Sequence, residues 1–410
     1  MKKYWFVLET YTFIWDDEEN VLIYNSLSGK SLLFRKDAEL TPVIEELKSQ
    51  ANLYVIELQE DVLNLKSVSN FVKKVRAAYS GDLYEQSKFP HKPIVIVPKI
   101  NLNDEVERDR GDFKNVEFFG QKVLNNLLEL SVFWGGNCKL KCKDCDSAFK
   151  QISWCTRFEA EINEAVLKCL IEQIQVAKIR RVTFIGDCLF NSSLFKQYRD
   201  DISSLSCVRN LMIHSRAFSF FDSSAVTSCI SVFSELTILV DDIRDIKPGL
   251  LDGIREQPSV FVFRITSEAD FEMALDCVNS LNLNAKFIPY YNGDNMKFFE
   301  DVVYQDKKTI LSTKWSKKDI FSHQHVNANY FGNLTLKPDG DIFSDKEKSA
   351  LGNILSAPLS TLVYKELQTK EHWRLTRDKV QPCAKCLYRY LCPPVSDYEK
   401  VIGKFNLCHL

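Results

Sequence analysis

The 410-residue chain has no apolar run approaching the roughly 18 residues of a membrane-spanning helix. It also lacks an excess of charge of either sign. Its 53 Lys and Arg are set among 55 Asp and Glu, for a net charge of −2. That balance gives no reason to expect nucleic acid or an anionic membrane as the main partner. A secretory signal is missing too. The basic start Met1-Lys2-Lys3 leads into a short apolar run, but Glu9, Asp16 and Asp17 interrupt it and no small-residue cleavage site follows. Thirteen cysteines without such a signal point to a reducing, cytoplasmic compartment and to metal ligation rather than a disulfide framework.

What the chain does have is cysteine in clusters. Cys138, Cys142 and Cys145 stand at x3 and x2 spacing just after the mostly apolar run 127–134, and Cys383, Cys386, Cys392 and Cys408 form a second group. Thirteen starting cysteines at about 3% frequency give such a triplet by chance in about 1% of chains. Thiolates on a loop leaving a strand can converge on one face of an iron–sulfur cubane, and three of them leave one iron open. The other reading is three unrelated cysteines in a reduced chain. Cys155, Cys169, Cys207, Cys229 and Cys277 read as small buried hydrophobes. Cys188 either fills space or places a thiol near the triplet.

Between about 127 and 292, strand-like and helical patterns alternate. The strand-like runs are 127–134, 181–185, 210–214, 235–240, 260–265 and 286–291; the helical ones are 160–177, 193–205, 223–233, 249–256 and 268–281. Such alternation predicts parallel strands with crossover helices, in an open, partial (β/α)6 barrel. Functional groups in such folds gather at the carboxyl ends of strands, where the triplet falls.

Ahead of this core, aromatic and β-branched runs at 4–15 and 21–24 predict a hairpin around the acidic turn 16–20, with a third short strand at 31–34. Helical patterns follow from Pro42 and over 68–78. The sum is a winged-helix-like unit over residues 1–85. Residues 86–120 read as a linker, with an exposed charged run at 103–112. Beyond the core, residues 330–343 predict a hairpin turning at Pro338-Asp339-Gly340, followed by a helical segment over about 358–377.

The Cx3Cx2C triplet resembles that of the radical S-adenosylmethionine (SAM) enzymes. The hairpin with Pro338-Asp339-Gly340, then Leu351-Gly352-Asn353-Ile354 and Cys383-x2-Cys386-x5-Cys392, resembles the SPASM extension of the peptide-maturing members. Tyr24-Asn25-Ser26-Leu27-Ser28-Gly29-Lys30 with its following helix is similar to PqqD-like leader-recognition domains. These likenesses span nearly the whole chain. They imply residues 1–85 as a leader-recognition domain, 121–325 as the radical SAM core and 326–410 as a SPASM-like domain.

The resemblance implies a [4Fe–4S] cluster on Cys138, Cys142 and Cys145, with SAM held near Gly186 and Asp187. It implies work on a ribosomally made precursor peptide whose leader adds as a strand to a sheet edge, with a partner maturase or a reductase as a further partner. SAM would be cleaved to a 5′-deoxyadenosyl radical.

The sequence departs from the family in several places. Where the family has Gly-Gly-Glu-Pro, this chain has Ile185-Gly186-Asp187-Cys188. Asp144 replaces the usual aromatic before the last triplet cysteine, and His214-Ser215-Arg216 stands where many relatives have Thr-Asn-Gly. In the SPASM-like module Ser344 and Ser396 occupy cysteine positions, and no cysteine precedes the hairpin near Tyr330. The complete set, Cys383, Cys386, Cys392 and Cys408, implies one auxiliary cluster, with a four-cysteine zinc site as the alternative. Two functions stay open: a SAM-cleaving maturase, and a degenerate relative that binds the precursor or a partner maturase. Transfer of electrons between clusters is a third.

Overall fold

The computed structural model describes residues 2–99, 120–140, 142, 144–246, 248–254, 257–346, 348–369 and 371–410. The charged run expected at 103–112 lies outside the described residues, as do Lys141 and Lys143 of the triplet loop and residues 255–256 of the expected fourth helix.

The strands in chain order are β1 (Lys3–Leu8), β2 (Thr12–Asp16), β3 (Asn20–Asn25), β4 (Ser31–Arg35), β5 (Val55–Gln59), β6 (Gly81–Glu85), β7 (Glu129–Phe133), β8 (Gly135–Gly136), β9 (Phe158–Glu161), β10 (Arg181–Ile185), β11 (Val208–His214), β12 (Glu235–Val240), β13 (Ser259–Ile265), β14 (Ala285–Pro289), β15 (Asn333–Leu336), β16 (Asp341–Phe343) and β17 (Gly352–Asn353).

The first 85 residues form two antiparallel sheets, β5-β1-β6 and β2-β3-β4. The run 4–15, expected as one arm of a hairpin, is two strands in two sheets. It breaks at Glu9–Thr10, where the Thr12 N–H returns to the Glu9 carbonyl at 2.9 Å and the Glu9 N–H bonds the Ser80 carbonyl at 3.0 Å. Helices Leu40–Lys48 and Lys66–Ala77 bury Val43, Ile44 and Leu47, and Val68, Phe71, Val72 and Val75, against Phe6, Leu8, Val55 and Ile56. Side chains alternate across a strand, so β2 and β3 bury both faces. Ile14, Val21 and Ile23 join that core. Phe13, Trp15, Leu22 and Tyr24 pack on Ile310, Ile320, Leu387 and Leu391 near the C-terminus. The Tyr24 hydroxyl fixes this second contact, donating to the Trp315 carbonyl at 2.9 Å and accepting from the Trp315 N–H at 2.6 Å.

The central sheet runs β14-β13-β12-β11-β10-β7-β15-β16-β17. Its first six strands are those expected from the sequence, and all pair in parallel. Parallel strands are covered on both sides and so read as continuous apolar runs. Leu130, Val132, Val182, Phe184, Leu211, Ile213, Ile238, Phe261 and Phe263 face the crossover helices, among them Glu164–Val176. Phe133, Ile185, Met212, Leu239 and Val262 face the other way, into the concave lumen. The chain is thus mixed α/β around a mostly parallel sheet. β15 extends that sheet parallel to β7, and the expected hairpin follows as β15–β16, with β16 and β17 antiparallel. The described helices include none long and apolar enough to cross a membrane.

Candidate iron–sulfur centre and a second cysteine site

β7 hands over to the triplet through Trp134, Gly135 and Gly136. Trp134 is fully buried against Phe184 and Phe195, and its indole N–H donates to Glu161 at 2.7 Å. Gly135 has φ +72°, and a Cβ there would meet the Ala160 carbonyl oxygen at 2.1 Å. Only glycine permits the close pairing of β8 with β9.

Cys138, Cys142 and Cys145 line one narrow cavity beyond this turn. Helix Cys145–Gln151 starts at the third of them, after Asp144 in the left-handed region at φ +59°. Cys155 and Cys188 line the same cavity, as do Gly186 and Asp187. Every cysteine of the chain is free of disulfides.

The thiols act on one another. Hydrogen bonds from Cys142 and then Cys155, with the Arg157 guanidinium nearby, hold the Cys145 thiol well below its ordinary value. The same bonds, and then burial, push Cys142 and Cys155 up. Arg157 also donates to the Cys142 carbonyl at 2.5 Å. Burial, followed by the nearby Cys138, pushes Cys188 up to about 11. Several soft sulfur donors on one small cavity suit an iron–sulfur cluster, so the donor set fits the group that the spacing implies.

The fit to SAM is different. Beyond the lumen layer of Ile185, Met212, Leu239 and Val262, strand parity sets a polar layer of Asp187, His214, Asp241 and Arg264. Asp187 is buried, accepts the His214 backbone N–H at 2.9 Å, and is pushed up to about 6, chiefly by burial. The Arg216 backbone N–H donates to His214 Nδ1 at 3.2 Å, which leaves the proton on Nε2 to be donated to Asp241 at 3.0 Å. Asp241 pairs in turn with Arg264 at 3.1 Å. The Arg264 guanidinium lies over Tyr290 at 4.9 Å and over Trp154 at 5.8 Å.

Trp154, only 1% exposed, sits in the lumen core with Phe133, Ile152, Ile185, Met212, Leu239 and Val262. Trp154 therefore fills this layer of the lumen, and the carboxylate expected to receive an amine is buried and engaged with backbone. These residues do not fit SAM as the resemblance implied. Cys142 Sγ, His214 and Asp241 present ligand-type atoms within 4.8 Å of one another, but the His214 proton and the Arg264 ion pair make this a hydrogen-bonded chain. Arg216 donates to Asp245 at 2.8 Å.

Cys383, Cys386, Cys392 and Cys408 line a second cavity, of about 250 Å³, with Arg377 and Glu399. The buried Arg377–Glu399 ion pair (Nη2–Oε2 3.2 Å) stands behind the sulfurs, and Arg377 Nη1 lies 3.7 Å from Cys383 Sγ. Burial raises Cys383 and Cys386, and pushes Cys392 up to about 12. The tail reaches this cavity because Gln305 bonds the Leu407 carbonyl at 3.1 Å and the His409 N–H at 3.0 Å. Four thiols suit either zinc or an iron–sulfur cluster. Both serines at family cysteine positions have structural work. Ser344 donates to Glu366 at 2.7 Å, and Ser396 forms a capping box with Glu399 at the start of helix Asp397–Ile402.

The sequence reading took Cys155 for a buried hydrophobe and did not single out Arg157, Asp241 and Arg264, all of which the fold brings to the first site. Only Cys155 carried a signal, being a cysteine ten residues past the triplet with Thr and Arg after it.

No family model matches the chain, and no curated protein matches it. Solved structures to which it is similar include SuiB of Streptococcus suis, at 12% identity over 98% of this chain and 100% of that one, with a TM-score of 0.45. SuiB bound to its precursor peptide SuiA gives 12% over the whole of both chains and 0.44. Native anSMEcpe with bound AdoMet gives 13% over 65% of this chain and 88% of that one, and 0.43. By its own residues, the chain is a mixed α/β protein with a mostly parallel central sheet and two cysteine-lined cavities.

Proposed function

We propose that this chain is an iron–sulfur protein of the radical SAM/SPASM type, serving the maturation of a ribosomally synthesised precursor peptide as a non-cleaving member. It binds the precursor or a partner maturase. Cys138, Cys142 and Cys145 hold a [4Fe–4S] cluster, and Cys383, Cys386, Cys392 and Cys408 hold one auxiliary cluster. When bound, such clusters supply one-electron transfer. One observation carries the reading: the triplet lines a cavity at the carboxyl ends of β7 and β10, while Trp154 fills a layer of the lumen and lies beneath Arg264. The N-terminal unit suits peptide recognition by strand addition. β4 ends its sheet, and the β3–β4 register turns the N–H groups of Ser31, Leu33 and Arg35 away from β3. The docking of β2 and β3 on the Leu387–Leu391 region links that unit to the auxiliary site.

The second reading is a SAM-cleaving maturase, favoured by Gly186 and Asp187 lining the triplet's cavity. Iron and sulfide analysis of the full-length protein, reconstituted anaerobically, tests the shared claim. Cys142→Ala should lose one cluster's iron, and Cys386→Ala the other's. Iron content unchanged by Cys142→Ala would remove the first site and both readings with it.

A further inference from the structure

We propose that Cys155 is a fourth protein ligand of the triplet's cluster, so that the iron that three cysteines alone would leave open is closed by a thiolate of this chain. The inference rests on the iron–sulfur reading above and deepens it.

The Cys155 thiol lines the same cavity as Cys138, Cys142 and Cys145. Its segment is fastened on both sides. Trp154 is locked in the lumen core. Thr156 Oγ1 donates to Asp146 at 2.5 Å, and Arg157 donates to the Cys142 carbonyl at 2.5 Å. Phe158 then enters β9, which pairs with β8. Residues 154–158 thus lace across the triplet loop and present one thiol to it. Cys188 is placed differently. Its Sγ lies 3.4 Å from where a Cβ of Gly136 would stand, on the side of the cavity where β7 leaves for the triplet.

A thiolate is the ligand form, so on ligation the Cys155 thiol releases its proton to solvent and its sulfur lone pair forms the bond to iron. No electron is transferred in that step. Four cysteine ligands make a closed cluster suited to electron transfer or structure, and they leave no coordination position for an exogenous amine and carboxylate.

Reconstituted full-length protein is oxidised with ferricyanide, and the three-iron cluster that forms when an open iron is lost is read by EPR. Wild type should give almost none. Cys155→Ala and the nearly isosteric Cys155→Ser should each give about tenfold more, with loss of about one iron per cluster. A three-iron signal in wild type as strong as in the variants overturns the proposal and leaves the iron–sulfur reading standing. So does a signal that appears with Cys188→Ala in place of the Cys155 variants. If Cys142→Ala retains as much iron as wild type, the iron–sulfur reading and the proposal fall together.

Discussion

Trp154 is the side chain on which the filled lumen depends, and truncating it gives a worked prediction. It is 1% exposed and packed among Ile152, just past helix Cys145–Gln151, and Phe133, Ile185, Met212, Leu239 and Val262 on the inward face of the parallel strands. Removing a large aromatic from such a core costs about 3–5 kcal/mol, through lost transfer energy and the cavity left behind. The cation–π contact with Arg264 goes too, but Arg264 keeps the nearer Tyr290 ring at 4.9 Å and its ion pair with Asp241 at 3.1 Å. The cationic part of the loss therefore stays near the lower end, about 0.5 kcal/mol. Trp154→Ala should destabilise the metal-free protein by about 4 kcal/mol, seen as a lower urea midpoint with an unchanged slope. Trp154→Phe should recover more than half. A loss below about 1 kcal/mol would refute the reasoning, because such a cost belongs to a surface position and not to a filled lumen.

Other consequences follow from charge and from docking. Asp187 is pushed up to about 6 from an ordinary 3.8, so the folded protein binds this proton more tightly than the unfolded chain. Its stability contribution is greatest below pH 4 and falls as pH rises from about 4 to 6, by about 3 kcal/mol in all. Asp187→Asn should flatten urea midpoints between pH 4 and 7 in the metal-free protein, whereas a decline as steep as wild type would show that another group titrates. Tyr24→Phe strips both partners from the Trp315 backbone and should cost about 2 kcal/mol in the same melts; a cost under about 0.5 kcal/mol would mean that the N-terminal unit is not fastened there. Cys386→Ser should free the tail held through Cys408, so that trypsin cleaves after Lys404 faster in the variant than in the loaded wild type. Equal cleavage rates would separate the tail from the metal.

The six parallel strands were legible because burial on both faces makes each a continuous apolar run bounded by polar residues. β5 and β6 were not. Val55–Gln59 is short and lies between helical patterns, and Gly81 reads as a helix stop, yet β6 starts there. The break at Glu9–Thr10 carries neither glycine nor proline, so β1 and β2 merged into one run. The triplet and the C-terminal cysteines were legible from spacing, which is local. Cys155 was not, because its approach to Cys145 depends on Trp154 docking in a lumen built from distant strands. His214, Asp241 and Arg264 meet for the same kind of reason: they lie on or just past successive strands, and only the shared inward parity of those strands joins them.

The most direct test of the central claim is chemical. Reconstituted, reduced protein is incubated anaerobically with SAM, and 5′-deoxyadenosine is quantified against a Cys142→Ala control. A closed cluster beside a filled lumen predicts no product above that control. Product that accumulates in wild type and disappears with Cys142→Ala would contradict it and establish the chain as a SAM-cleaving enzyme.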